Sequence, residues 1–222
     1  MKTIAIHQPN FLPWRGYFQK IHQADVFVFL DDVQISLRHN AITHRTRSLR
    51  NGTPQWLTMP VIRAEKILDV QIGDRARLCK LERKVREWYC KAPYFKTIFP
   101  ILERVFAHET DSLAEFNINA ITLLCHHLNI HTPLMRSSTL NISSTKQERI
   151  LDIVTALGGD RYLSGKGAID YQSEDAFKDR NITLEYISYN LAPYPQFNSN
   201  TFVPGLSVID LLMNCGLPPP HL

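Results

Sequence analysis

Three polar side chains follow the first apolar run of the chain, and their types suit acid–base chemistry and sugar binding. The run ends at Ile6 and is followed by His7, Gln8 and Asn10. A histidine can act as a general base because its pKa lies near neutrality. The amide groups of Gln8 and Asn10 both donate and accept hydrogen bonds, as sugar hydroxyls require. A structural histidine in a capped turn is the alternative interpretation.

Two carboxylates and an amide follow the second apolar run, which covers residues 26–30. They are Asp31, Asp32 and Gln34. Adjacent strand residues point to opposite faces, so one of the two carboxylates at most faces a given site, unless the strand has already ended. A carboxylate here can bind a sugar hydroxyl, act as a base, or hold Mg²⁺ against a diphosphate. An Asx turn or a helix N-cap is the alternative, and the sequence contains no firm metal site.

Two later segments combine small polar residues with cations. In the first, residues 143–149, Thr145 and Glu148 have the spacing of a capping box, which explains the hydroxyls. Lys146 and Arg149 oppose the helix dipole there, so the pattern predicts an anion at this helix N-terminus. In the second, Ser164-Gly165-Lys166-Gly167 with Tyr171, the glycine spacing is not that of a Walker loop. It is either a binding loop whose Lys166 contacts phosphate or a plain glycine turn.

Two further segments are candidate ligand contacts. Basic residues concentrate in the segment 38–50, which is either an anion clamp or a solvated loop: Arg38, His39, His44, Arg45 and Arg47. The long stretch 190–204 is rich in Pro, Asn and Tyr and contains Tyr194 and Gln196. Loops of this length without regular structure are often functional, so it is a candidate lid.

The elements that must position these residues form an α/β pattern. Residues 1–35 predict a strand–loop–helix–strand unit with its polar residues at the carboxyl ends of both strands, the edge where open α/β sheets bind ligands. Further strands are predicted near 56–61, 67–72, 161–163 and 182–187, and helices near 150–157 and 206–212. Apolar residues at helical spacing predict two or three helices between 75 and 128. We expect one α/β domain, 1–222, with a helical subdomain at about 75–130.

Composition narrows the class of protein. The chain has 222 residues, of which 44% are hydrophobic and 21% charged, as in ordinary globular proteins. No apolar run approaches the ~20 residues of a membrane span, and no signal peptide is evident, so we expect a cytoplasmic protein. The net charge of +4 suits an anionic ligand such as a nucleotide sugar but is too small to indicate nucleic acid. The four cysteines form no C-x-x-C pair and are expected to be buried, reduced thiols.

One segment resembles the nucleotidylyltransferase superfamily, in which a Ser-Ser-Thr-Lys-x-x-Arg-type stretch opens a helix. Here it is Ile142-Ser143-Ser144-Thr145-Lys146-Gln147-Glu148-Arg149. In that superfamily an earlier loop carries two histidines around a glycine, whereas this chain has Trp14-Arg15-Gly16-Tyr17 in that place. Trp and Tyr supply no cation for a transferring phosphate. The resemblance therefore implies a Rossmann-like, mostly parallel core without ordinary nucleotidyl transfer.

A second resemblance runs nearly end to end and is to the WbqC-like family. It rests on blocks in fixed order: His7-Gln8-Pro9-Asn10-Phe11-Leu12-Pro13-Trp14 with Gly16-Tyr17-Phe18, Leu30-Asp31-Asp32-Val33-Gln34, Trp56-Leu57-Thr58-Met59-Pro60-Val61, Tyr162-Leu163-Ser164-Gly165, Tyr194-Pro195-Gln196 and Leu206-Ser207-Val208-Ile209-Asp210-Leu211-Leu212. The family tends to carry Arg-Asn-Arg after its second strand. Arg45-Thr46-Arg47 takes that place here and lacks the amide.

This resemblance implies a role in bacterial surface-glycan (O-antigen) biosynthesis, as a transferase that attaches an acyl or aminoacyl group, such as glycyl, to a nucleotide-linked amino sugar. Under that hypothesis His7 deprotonates the sugar amine, with Asp31 and Asp32 as further catalytic candidates. The predicted substrate contacts are Gln8, Asn10, Trp14, Tyr17, Gln34, Arg45, Arg47, Lys146, Arg149, Gly165, Lys166, Tyr171, Tyr194 and Gln196. Alternatives are a nucleotide-dependent ligase or nucleotidylyltransferase-like enzyme, and a non-catalytic nucleotide-sugar-binding protein. The acyl donor, the sugar, a Mg²⁺ requirement and the oligomeric state stay open.

Overall fold

The structure, a computed structural model, describes residues 1–36, 41–189 and 191–217. Its chain divides into two compact units. The first consists of residues 1–8, 19–32 and 130–189, and the second of residues 9–18, 33–129 and 190–222. Arg38 and His39 of the basic segment lie outside the described residues. The expected single domain with a helical subdomain at 75–130 remains a prediction.

A five-stranded, all-parallel sheet forms the first unit. Its strands are β1 (Thr3–His7), β2 (Val26–Phe29), β7 (Leu134–Arg136), β8 (Arg161–Ser164) and β9 (Thr183–Tyr186). Across the sheet the strands lie in the order β7-β2-β1-β8-β9. If the five strands are numbered along the chain, this order is 3-2-1-4-5. This is the order of a Rossmann-type half-sheet. The predicted Rossmann-like α/β fold is confirmed.

Burial explains why β1 and β2 read as apolar runs. Parallel sheets are covered on both faces, so their strands tend to be apolar throughout. Val26–Phe29 is buried at every position, and Ile4 and Ile6 pack with the helices α5 (Lys146–Ala156) and α6 (Glu174–Lys178). Each fully buried side chain of this kind contributes roughly 1.5–3 kcal/mol. The buried core therefore holds β1 and β2 in place, and with them the residues at the carboxyl ends of these strands.

Helices and short antiparallel strand pairs form the second unit. The strands are β3 (Arg45–Arg50), β4 (Thr53–Thr58), β5 (Val61–Ile62) and β6 (Gln71–Ile72), and the helices are α2 (Arg75–Tyr89), α3 (Phe95–Phe106), α4 (Leu113–His127) and α7 (Val208–Cys215). The helix α1 (Arg15–His22) begins in a segment of the second unit and continues in the first. As predicted, three helices lie between residues 75 and 128.

Two local predictions need correction. The strand expected at 67–72 is a 3₁₀ turn, Ile67–Asp69, followed by the two-residue β6. The basic segment 38–50, expected to be an anion clamp or a solvated loop, contains β3, which pairs with β4 across Asn51-Gly52. Both turn residues have positive φ, 48° and 75°, as a two-residue hairpin turn requires. β3 is rich in polar and basic residues and contains few apolar ones, so its sequence does not indicate a strand.

The cysteine prediction is right for one thiol and wrong for two. Cys125 is buried, but Cys79 and Cys90 are exposed. Their exposure leaves them to solvent on the surface of the second unit. Among the described residues, no helix has the length and apolar character that crossing a membrane demands.

Candidate functional site at the carboxyl edge of the sheet

The carboxyl ends of the parallel strands place polar residues along one edge of the first unit. β1 ends at His7, β2 is followed by Asp31, β7 by Ser137 and β8 by Gly165. The chain adds strands on one side of β1 and then on the other, so the order reverses between β1 and β8. In open α/β sheets, ligands bind at the carboxyl edge where the order reverses. The neighbouring strand ends at His7 and Gly165 are therefore the first candidate site.

A buried lysine accompanies His7 at the end of β1. The Nζ of Lys20 donates a hydrogen bond to the carbonyl oxygen of Ile6 at 2.9 Å, and Lys20 is only 2% exposed. In the described part of the chain, Lys20 forms no ion pair. The Nδ1 of His7 lies 3.2 Å from the carbonyl oxygen of Gln8. This geometry places an imidazole and an amine at the same strand end.

Burial lowers the pKa of both groups. Desolvation, together with the charge of Lys20, lowers the pKa of His7 to about 4, although the hydrogen bond with Gln8 opposes the change. Desolvation lowers the pKa of Lys20 to about 7. At pH 7 the imidazole is neutral, and the lysine is divided between amine and ammonium. Lys20 can therefore accept and release protons near neutrality, and a perturbed pKa of this kind is typical of functional sites.

Lys20 was missed by the sequence analysis although a signal exists. It lies three residues after Tyr17, so the two side chains share one face of α1. Tyr17 is buried. A lysine on the apolar stripe of a helix is the pattern that indicates a buried amine.

Asp31 and Asp32 belong to a carboxylate–serine cluster, defined here as Asp31, Asp32, Ser137, Ser138 and Arg149. Asp31 is 2% exposed and accepts hydrogen bonds from both hydroxyls and from the Ser138 amide, at 2.8–3.2 Å. Asp32 accepts from Ser137 Oγ at 2.6 Å. Because β2 ends at Phe29, both carboxylates reach the same cluster. The alternation of a strand no longer separates them.

Arg149 completes this cluster from α5. Its Nη2 donates to Asp32, and its Nη1 donates to the carbonyl oxygens of Ile142 and Ser144. Asp32 thus supplies an anionic partner for Arg149, whereas Lys146 is exposed. The expected capping box is absent, because Thr145 makes no side-chain cap bond and Glu148 pairs with Arg180.

Three of the predicted residues of the first unit, Gly165, Lys166 and Tyr171, follow the end of β8. The β1–β8 register, in which Ala5 is opposite Leu163, places His7 opposite Gly165 when it is continued. Gly165 has an extended backbone, with φ −83° and ψ 146°, that any residue adopts. Lys166 and Tyr171 are exposed on the 3₁₀ turn that follows, and Lys146 is exposed at the start of α5.

The predicted residues of the second unit have different environments. Asn10 and Tyr17 are buried, 1% and 2% exposed, so their burial favours packing roles. Gln34 is exposed and forms an isolated β-bridge with Lys66. The guanidinium of Arg45 lies 4.4 Å from the centre of the Trp56 ring.

Tyr194 and Gln196 are tied to a buried carboxylate of α7. Tyr194 Oη and Gln196 Nε2 donate to Asp210 Oδ1 at 2.8 and 3.0 Å, and Tyr89 Oη donates to Oδ2 at 2.8 Å. Burial raises the pKa of Asp210, while these three donors oppose the shift. Gln196 also accepts from the Val203 amide. The network holds the segment after residue 191 against α7.

A cavity of about 390 Å³ lies within the second unit. Three predicted residues, Trp14, Arg47 and Tyr194, line it together. Arg15, which the sequence analysis did not select, lines it as well. The second unit therefore contains its own concave site, separate in composition from the carboxyl edge of the sheet.

A sequence model of the WbqC-like protein family matches residues 8–219. The chain belongs to the WbqC-like protein family. The chain is also 30% identical to uncharacterized protein Rv1507c of Mycobacterium tuberculosis (strain ATCC 25618 / H37Rv), over 99% of this chain and 96% of that protein. No solved structure matches it significantly.

The WbqC-like match begins one residue after His7, and it includes Lys20, Gly165 and every residue that lines the cavity. The resemblance to nucleotidylyltransferases remains a prediction, as do the roles of the individual site residues. Within residues 1–36, 41–189 and 191–217, no group of three or more His, Cys, Asp or Glu side chains could hold a metal ion. In this WbqC-like chain, Asp31 and Asp32 accept hydrogen bonds from hydroxyl, amide and guanidinium donors.

Proposed function

We propose that this WbqC-like protein binds a nucleotide-linked amino sugar at the carboxyl edge of the first unit and transfers an acyl or aminoacyl group to the sugar amine, in surface-polysaccharide biosynthesis. The observation that supports this most directly is the reversal of strand order between β1 and β8, with His7 and Lys20 at one strand end and Gly165 at the other. This is where Rossmann-like sheets bind nucleotides.

The proposed reaction places His7 as the proton acceptor. The amine nitrogen attacks the acyl carbonyl carbon, the N–C bond forms, and the bond to the donor's leaving group breaks with its electron pair. The amine proton passes to the neutral imidazole, whose other ring nitrogen faces the Gln8 carbonyl. A pKa of about 4 makes the imidazole a weaker base than an ordinary histidine, and a proton that it accepts is released readily. The buried Lys20, with a pKa of about 7, is a proton acceptor close to neutrality.

Charge on the same unit supports the nucleotide part of the proposal. Lys146 and Lys166 are exposed cations at the start of α5 and after β8. Neither takes part in an ion pair within the described residues. Exposed ammonium groups of this kind are available to a diphosphate.

Gly165 provides a test of binding that spares the fold. A Cβ added there would lie 3.6 Å from Tyr189 Oη, an ordinary contact, and the backbone needs no glycine. If a nucleotide approaches this backbone closely, Gly165→Ala should weaken UDP binding at least about tenfold, which is 1.4 kcal/mol, without lowering stability. Isothermal titration calorimetry measures the affinity. Gly167→Ala, with nothing within 4 Å of the added Cβ, is the matched control.

Catalysis is tested with UDP-glucosamine and UDP-glucose, which differ in the amine. Each is incubated with acetyl-coenzyme A, or with glycine, ATP and Mg²⁺, and the products are weighed by mass spectrometry. The proposal expects an acyl or glycyl mass increment on UDP-glucosamine alone, and His7→Ala should abolish it while UDP still binds. Pyrophosphate release without sugar acylation would instead indicate a ligase or nucleotidylyltransferase-like enzyme. Sugar binding without turnover across these donors would support a non-catalytic binding protein.

A further inference from the structure

The walls of the cavity in the second unit are mostly apolar. Seven of its eleven lining residues present rings or aliphatic groups: Trp14, Leu191, Tyr194, Phe202, Pro204, Leu206 and Leu211. Its volume of about 390 Å³ is within the range of small-molecule sites. The lining contains no carboxylate. Such walls suit a small ligand with an apolar body.

Two guanidinium groups provide the charge of this cavity. Arg15 is 6% exposed; its Nη2 donates to the carbonyl oxygen of Ala192 at 2.8 Å, and its carbon Cζ lies 5.5 Å from the Tyr194 ring centre. Its Nη1 is buried and finds no acceptor among the described residues. Buried charged donors rarely lack a partner, because the lost solvation is costly. An unmet donor on a cavity-lining cation points to an absent acceptor.

Arg47 supplies the second cation from β3. Its side chain makes no hydrogen bond or ion pair with the part of the chain that the structure describes. Arg45, two residues earlier on the same strand, is instead engaged by the Trp56 ring and by the Ala41 carbonyl, and it does not line the cavity. Of the two arginines on β3, Arg45 is thus held by contacts within the protein, and Arg47 is available to a ligand.

We infer that this cavity is a binding site for a small organic anion, with an apolar body against Trp14 and Phe202 and one carboxylate or phosphate head held by Arg15 and Arg47. Guanidinium groups bind both heads through paired N–H donors. The inference does not depend on the proposed function, because all the lining residues belong to the second unit. It predicts an apolar ligand with one anionic head.

Phenylacetate and phenylacetamide are the probes, since they share a body and differ in charge. The three Trp indole N–H signals are followed in ¹H–¹⁵N spectra, with Trp14→Phe identifying the Trp14 signal. Phenylacetate should shift the Trp14 signal saturably, and phenylacetamide should bind at least about tenfold more weakly. Phenyl phosphate is titrated in parallel. The tighter of the two anions identifies the head, and saturable binding of either supports the site.

Arg47→Gln and Arg45→Gln form the matched pair of variants. Arg47→Gln should weaken the anionic probe at least about tenfold, and Arg45→Gln should leave its affinity unchanged. Equal binding of phenylacetate and phenylacetamide, equal effects of the two variants, or no saturable shift of the Trp14 signal would overturn the inference. UDP titration of Arg47→Gln keeps the two proposals distinguishable, because Gly165→Ala and not Arg47→Gln should affect UDP.

Discussion

The ammonium nitrogen of Lys20 lies 2.9 Å from the carbonyl oxygen of Ile6, and the side chain is almost completely buried. Burying a cation with a single backbone partner is unfavourable, which is why its pKa falls to about 7. The neighbouring His7 carries the same tendency, with a pKa of about 4. The chain thus tolerates at the end of β1 a group that costs stability, as functional sites often do.

The first prediction is that Lys20→Met stabilises the protein. From pH about 7 to about 10.5 the unfolded chain binds the Lys20 proton and the folded chain does not, so the free energy of unfolding rises with pH in this window. Below pH 7 the full cost of burying the charge is present. Lys20→Met removes that cost and should raise the free energy of unfolding at pH 6 by about 1–3 kcal/mol. Urea unfolding from pH 6 to 10 measures it.

Lys178→Met is the control, since Lys178 is exposed on α6. It should change stability by no more than about 0.5 kcal/mol at any pH in the series. A Lys20→Met protein that loses stability at pH 6, or keeps the wild-type rise between pH 7 and 10, would show that the lysine is not a buried cation.

The second prediction concerns the pairing of Arg149 with Asp32. The two side chains are 9% and 17% exposed, so Arg149→Ala leaves a largely buried carboxylate without its cation. We expect a loss of about 3 kcal/mol. Arg180 pairs with Glu148 and Asp152 of α5, the helix that carries Arg149, but the Arg180 side chain is 34% exposed. Arg180→Ala should therefore cost less than about 1 kcal/mol.

Salt separates these two arginines further. In 1 M NaCl the contribution of Arg180 should largely disappear, while that of Arg149 should persist, because screening acts mainly on exposed pairs. Guanidinium chloride is itself a salt, so urea is the denaturant of choice. Equal losses for the two variants would mean that the Arg149–Asp32 pair adds nothing beyond a surface ion pair.

The sequence predicted the parts of this molecule that depend on local patterns. Apolar runs located β1 and β2, and the polar residues after them marked the carboxyl edge correctly. Long-range pairing leaves no such signal. Asp32 and Arg149 are 117 residues apart, so no local pattern indicates that Arg149 pairs with a carboxylate of the chain. Lys20 was overlooked because a single lysine in a helix is ordinary unless its position on the buried face is considered.

The third prediction concerns the contact between the Trp14 ring and Gly16. A Cβ at Gly16 would lie 2.3 Å from Trp14 Cη2, so the indole packs directly on the glycine. Gly16→Ala should displace the ring that lines the cavity and change the Trp14 indole signal. In a Trp14→Ala background the same substitution should be neutral or stabilising by up to about 1 kcal/mol, since Ala favours helix over Gly.

A double-mutant cycle over Trp14→Ala and Gly16→Ala measures this coupling by urea unfolding. The two losses should be strongly non-additive, because both substitutions act on one contact. Simple additivity would mean that the indole does not rest on Gly16 in solution. Ile153→Val, a conservative change in the core cluster of the first unit, should add independently to Gly16→Ala and calibrates the cycle.

The fourth prediction orders two tyrosines that bind the same carboxylate. Tyr89 Oη donates to Asp210 Oδ2 and also accepts from the Leu49 amide at 3.0 Å, so Tyr89→Phe leaves a buried donor and a buried acceptor unmet. Tyr194→Phe removes one donor from Oδ1, which keeps Gln196 Nε2. We expect losses of about 3 kcal/mol for Tyr89→Phe and about 1 kcal/mol for Tyr194→Phe.

Urea unfolding of both variants gives the comparison, and phenylacetate titration adds a functional readout. Tyr194→Phe retains its ring in the cavity wall, so the probe should bind with wild-type affinity despite the small loss of stability. If Tyr194→Phe lowers the free energy of unfolding as much as Tyr89→Phe does, the hydrogen bonds to Oδ1 would be the main source of the network's stability. The fully buried Asp210 would then stabilise mainly the segment after residue 191, which contains Tyr194. Its link to β3, which runs through Tyr89 and the Leu49 amide, would matter less.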